Sequence, residues 1–181
     1  MGADPSPDVI LTYPDPKLRR TAEPVAEITP ELRARVEAMF PLMVEAKGIG
    51  LAAPQIGWNV RLFVMNLSGA PEDAFAILNP EVVEKGGGTW VLEEGCLSLP
   101  RIYGKVKREK RVVMRGLDLD GDAFEVEADG MVGRCMLHEF DHLDGVLFID
   151  RLSPAKKQSL KRKLRDLELE AADAAQARTS A

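Results

Sequence analysis

Histidine is nearly absent from this chain of 181 residues: His138 and His142 are the only two, and both lie in the stretch MLHEFDHLDG. Cysteine is as scarce, with Cys96 and Cys135 alone. No apolar run is long enough to span a bilayer, and the opening MGADPSPDV has neither the basic-then-apolar layout of a signal peptide nor an Arg-rich transit character. The expectation is a cytoplasmic protein with no membrane partner. In that compartment two cysteines are expected as free thiols or metal ligands rather than as a disulfide. Gly2 and Ser6 match the myristoylation pattern in form, but Asp4 and Pro5 sit inside it and no second anchor is nearby, so the match is read as chance. A broad basic surface is also missing. The net charge is −5, and the one basic run, KKQSLKRKLR, lies among acids, which sets DNA and RNA aside as partners.

What is present suffices for one core. With 45% apolar residues, a chain of this length is expected to form a single domain over 1–181, fraying from about residue 170. Thr29 can cap and Pro30 can open a helix whose apolar residues Leu32, Val36, Met39 and Met43 recur at helical spacing, with a kink expected at Pro41. Gly48 and Gly50 end that helix and open a loop, GIGLAAPQIG. VRLFVMNL and AFAILNPEVVE read as strands, and Asp120-Gly121 between two strand-like runs predicts an antiparallel hairpin. Asp129 can cap a helix with Met131, Val132, Cys135, Met136, Phe140 and Leu143 on a broad buried face, and Ser153-Pro154 starts a last helix through Leu160, Leu164 and Leu167. The fold class expected is α+β, with antiparallel or mixed sheets around the histidine-bearing helix and further helices near each end.

On a helix His138 and His142 lie one turn apart, about 40° around the axis and about 6 Å along it, so both rings can converge on one ion. Glu139 then projects beside the ion's open position, where a carboxylate that does not ligate can move protons. The rival reading is an acidic helix with two incidental histidines. Two imidazoles leave a catalytic metal one protein ligand short. The longer pattern HExxHxxGxxH fails, because Phe148 stands where its third histidine belongs. Glu168 and Glu170 could nominally ligate but sit in a solvated charged stretch. Cys96, in VLEEGCLSLP, remains. A nucleophilic role for it is undercut by the negative charges of Glu93 and Glu94, whereas a thiolate completes a site of one cysteine and two histidines.

GIGLAAPQIG also fits the dinucleotide fingerprint GxGxxA, but a helix precedes it and Pro54 interrupts the helix that the fingerprint needs next, so the context is wrong. A cleft wall suits it better, with Gly48, Ile49 and Gly50 admitting a peptide backbone and Gln55 offering an amide donor to an oxyanion. Met131 and Cys135 precede His138 by about two turns and one turn, which places them to line an apolar slot or simply to pack in the core.

GIGLAAPQ (48–55), EGCLS (94–98) and HEFDH (138–142), in this order, resemble the three signature motifs of peptide deformylases. VILTYPDPKLRRTAEPV, LNPE and DGVLFIDRLS are similar to that family too. The resemblance implies that Cys96, His138 and His142 bind one divalent metal and that Glu139 is the general acid/base. It also implies that Gln55 and the backbone N–H of Leu97 stabilise the oxyanion. Tyr103 and Gly48 are implied neighbours of a methionine slot, and Glu94 the partner of Arg108. The expected activity is removal of the N-formyl group from formyl-methionyl nascent peptides near the ribosome exit, by a monomer. Ferrous iron is the expected metal, with zinc, nickel or cobalt acceptable to the same donors. Leu137 departs from the glutamine more usual before the first histidine and removes the polar contact that a glutamine there would offer. The competing functions are a zinc peptidase and a non-catalytic protein stapled by its metal.

Overall fold

In the computed structural model, which describes residues 9–179, Thr29 caps the first helix as its spacing predicts. Thr29 Oγ1 accepts from Leu32 N at 3.2 Å, and helix α1 runs Pro30–Glu45. Pro41 sits inside α1 without ending it. The Gly2–Ser6 match lies outside the described residues.

Five strands succeed it in one antiparallel sheet, ordered as they occur in the chain: β1 Gly50–Ala52, β2 Leu62–Met65, β3 Phe75–Cys96, β4 Leu99–Leu117 and β5 Ala123–Asp129. The expected loop GIGLAAPQIG is therefore part strand. Gly50, Leu51 and Ala52 pair with Met65, Val64 and Phe63, and only then does a short 3₁₀ turn, Ala53–Ile56, carry Gln55. The β4–β5 hairpin falls at the Asp-Gly pair, with Asp118 Oδ1 accepting from the backbone N–H groups of Asp120 and Asp122.

Alternation along β2 separates two cores, as a strand's period of two requires. Leu62 and Val64 pack with Val36, Met39 and Met43 of α1. Phe63 and Met65 pack on the other side with helix α2, Gly130–Leu143, through Met136, Leu137 and Leu143. The central helix thus lies on the sheet face opposite α1. Asp129 occupies its N-cap, but its side chain makes no capping hydrogen bond. The buried face predicted for α2 is narrower than expected, because Met131 and Val132 in its first turn are exposed while Cys135, Met136 and Leu143 are buried. Leu137, where the family more often has glutamine, is part of this core.

A third cluster joins Leu18, Leu99, Ile102, Val106 and Phe148 to Leu160 and Leu167 of helix α3, Pro154–Thr179. Alanine's helix propensity carries α3 through most of the stretch expected to fray, as far as Thr179.

Candidate metal centre

Two elements distant in sequence build the centre. Strand β3 ends at Cys96, which pairs with Leu99 across a two-residue turn, Leu97-Ser98. Helix α2 supplies His138 and His142, whose ring centroids are 5.1 Å apart. The ligand atoms of Cys96, His138 and His142 all lie within 4.8 Å of one another. Cys96 Sγ is 3.2 Å from His142 Nε2. Donor atoms this close could converge on one divalent ion, which Cys96, His138 and His142 would hold. Glu168 and Glu170 take no part: the first accepts from Tyr13 Oη at 2.7 Å and the second pairs with Arg101.

The donors carry unlike support. His138 Nδ1 lies 3.0 Å from Glu94 Oε2, which turns its Nε2 toward Cys96. Glu94 is itself gripped by Arg108, at 2.6 and 2.9 Å, and by Arg134, at 2.5 Å. Burial alone would raise the Glu94 pKa, but hydrogen bonds with His138 and Arg108 outweigh it and bring it down to about 2. Arg108 continues to Asp141 at 2.8 Å, and Asp141 to Arg151. His142 has no such partner: its Nδ1 is buried and makes no hydrogen bond among the described residues.

Burial opposes a charge on either ring, yet the Cys96 sulfur and the Glu94 carboxylate raise the His138 pKa well above its ordinary value, while burial lowers that of His142. One thiolate with two neutral imidazoles is a donor set that divalent metals accept.

Glu139 is buried, and its Oε2 has no hydrogen-bond partner among the described residues. Burial pushes its pKa up to about 7. Gly50 makes room for it, since a Cβ there would lie 2.6 Å from Glu139 Oε1 and 2.8 Å from Cys135 Sγ. Gln55 Oε1 accepts from Ala52 N at 2.8 Å, and its Nε2 reaches Ser98 Oγ at 3.2 Å and Cys96 Sγ at 3.6 Å.

Beside these groups opens a cavity of about 450 Å³, lined by Gly48, Ile49, Gly50, Tyr103, Met131 and Cys135 together with Gln55, Leu97, His138 and Glu139. Every residue expected in the cleft therefore borders one space, although Tyr103, Met131 and Ile49 are exposed at its mouth. Burial holds the Cys135 thiol well above its ordinary pKa, which makes it an inert apolar wall. Sequence reasoning missed three participants: Glu94 as the partner of His138, Arg134, and Ser98. Phe148, conspicuous in the sequence for not being histidine, stacks on the His138 ring at 6.2 Å and 24°. Phe148 lies far enough along the chain that only the folded structure brings it to that ring.

One carboxylate here orients an imidazole, and another, Glu139, has an unpartnered buried Oε2 and a pKa raised to about 7. Such a pair beside three possible metal donors is the arrangement that a metal-dependent hydrolase needs.

The sequence profile of the polypeptide deformylase family matches residues 7–158. The peptide deformylase of Chromobacterium violaceum is 49% identical over 159 residues, covering 88% of this chain and 95% of that protein. A crystal structure of a peptide deformylase from Legionella pneumophila superimposes with a TM-score of 0.84 at 41% identity, over 91% of this chain and 96% of that one. For the Plasmodium falciparum enzyme the TM-score is 0.88 at 38% identity, over 91% and 98%. The chain belongs to the polypeptide deformylase family. It is a metal-dependent hydrolase that removes the N-formyl group from the formyl-methionine of newly made polypeptides and releases formate.

Proposed function

We propose that this chain carries out deformylation with Cys96, His138 and His142 holding one divalent metal and Glu139 moving the protons. The observation that carries the reading is the bare, buried Oε2 of Glu139 beside the three-donor cluster. A divalent metal held there supplies Lewis acidity to activate water and polarise the formyl carbonyl. Glu139 accepts the water's proton and delivers it to the departing amine, which would otherwise leave as a strongly basic anion. A carboxyl with a pKa near the working pH suits both directions of transfer.

Gln55 Nε2 and the Leu97 N–H donate to the oxygen on which charge grows. Each such donor is typically worth about 2.7–4 kcal/mol. Gly48, Ile49, Gly50, Tyr103, Met131 and Cys135 form the slot for the methionine side chain, and an apolar wall over a cavity of about 450 Å³ supports this. Ferrous iron is the metal we place first, as is common in the family; zinc, nickel and cobalt satisfy the same donors. We further place the enzyme in the cytoplasm as a monomeric catalytic domain acting near the ribosome exit. No helix among the described residues is long and apolar enough to cross a membrane.

Incubating the metal-loaded protein with a formyl-Met-Ala peptide tests the reading. Formate released from an intact peptide bond is expected. Peptide-bond cleavage without formate would instead indicate a peptidase.

A further inference from the structure

The amide of Gln55 can be assigned without ambiguity. A backbone N–H can only donate, so the atom 2.8 Å from Ala52 N is the oxygen, Oε1, and Nε2 is the atom turned toward Ser98 and Cys96. Nε2 carries two hydrogens. Ser98 Oγ, 3.2 Å away and fully buried, accepts one of them. The second is left on the side of Cys96 Sγ, toward the donor cluster.

Ser98 and Leu97 are the two residues of the turn between β3 and β4. A hydrogen bond between Ser98 and Gln55 therefore ties that turn to the 3₁₀ turn Ala53–Ile56. The same two turns are stitched a second time by the segment that crosses them, because Leu11 N donates to Gln55 O at 2.7 Å and Tyr13 N donates to Ser98 O at 2.8 Å.

We propose that Ser98 is a positioning residue for the reaction: by accepting one Nε2 hydrogen of Gln55 it holds the other toward the cluster. The inference deepens the reading of these two groups as the oxyanion donors and rests on it. Without Ser98 Oγ the Gln55 amide keeps its anchor at Ala52 and the longer contact of Nε2 with Cys96 Sγ, but loses the shorter of the two contacts that direct Nε2. Backbone bonds to Leu11 and Tyr13 do not involve the hydroxyl, so the turns themselves should persist in Ser98→Ala.

The test is a double-mutant cycle on metal-loaded enzyme, with kcat and KM for a formyl-Met peptide, metal content and thermal midpoint measured for each variant. Ser98→Ala is expected to lower kcat about tenfold, the scale of one misplaced neutral hydrogen bond, with KM and metal content unchanged. In a Gln55→Ala background, Ser98→Ala should have almost no further effect on kcat, because the group it positions is gone. A purely structural role would instead lower kcat equally in both backgrounds. Ser98→Thr retains the acceptor oxygen and should recover most of the kcat; if Ser98→Ala does not fold, Ser98→Thr and the Gln55→Ala pair carry the test. Full activity of Ser98→Ala beside an impaired Gln55→Ala overturns the proposal while leaving Gln55 as an oxyanion donor. Unimpaired Gln55→Ala overturns that donor assignment itself.

Discussion

His138 and His142 differ by one helical turn and occupy opposite kinds of surroundings. The first is aimed by a chain of alternating charges, from Glu94 through Arg108 and Asp141 to Arg151, and is stacked on Phe148. The second has no carboxylate to aim it: its Nε2 meets Cys96 Sγ at 3.2 Å, while its buried Nδ1 makes no hydrogen bond among the described residues. Two rings that could hold one ion need not be oriented in the same way. An imidazole that is not hydrogen-bonded at Nδ1 relies on the helix that carries it, and α2 is anchored through Met136, Leu137 and Leu143. A ring fixed by a carboxylate inherits that carboxylate's electrostatics.

The most damaging way to break this contrast is Glu94→Ala. It leaves Arg108 and Arg134 as buried cations without their shared partner and frees the His138 ring. A loss of about 3–5 kcal/mol in unfolding free energy is expected, with metal affinity down about 10–100-fold. Chemical denaturation and metal titration read the two effects.

Acid sharpens the same point. The Glu94 pKa is depressed to about 2 in the folded chain, so its stabilising contribution is complete above its unfolded value of about 4.5 and is lost as pH falls from there toward 2. The fall from 4.5 to about 2 corresponds to roughly 3 kcal/mol. Urea midpoints measured between pH 5 and pH 3 should fall steeply in the native protein and less steeply in Glu94→Gln. The smallest effect belongs to Glu168→Gln and Glu170→Gln, whose partners Tyr13 and Arg101 lie away from the centre; metal content and turnover should not change.

Much of this site was legible in the sequence because its parts are local. The HExxH spacing needs only a helix, and α2 is one from Gly130 to Leu143. Cys96 was reached by rejecting Phe148 and the glutamates of α3, and the folded chain places it among the histidines. The contacts that escaped notice depend on strand register and cross-element packing. Glu94, near the end of β3, meets His138 through a side chain that reaches across to α2, and Ser98 meets Gln55 because two turns abut. No periodicity announces either contact. The strand at Gly50–Ala52 was hidden for a related reason, since its glycine is required by the closeness of Glu139 and Cys135 rather than by a turn. Met131 and Val132 continue the apolar pattern of α2, yet at its first turn the helix has already left the core, and Met131 faces the cavity.

The central claim is that Glu139 moves protons and does not hold the metal. Glu139→Gln, purified anaerobically, tests it when metal content and formate release are measured on one sample. The account predicts a full complement of metal with turnover reduced by a factor of about 100 or more. Retained turnover, or loss of the metal together with activity, would contradict it.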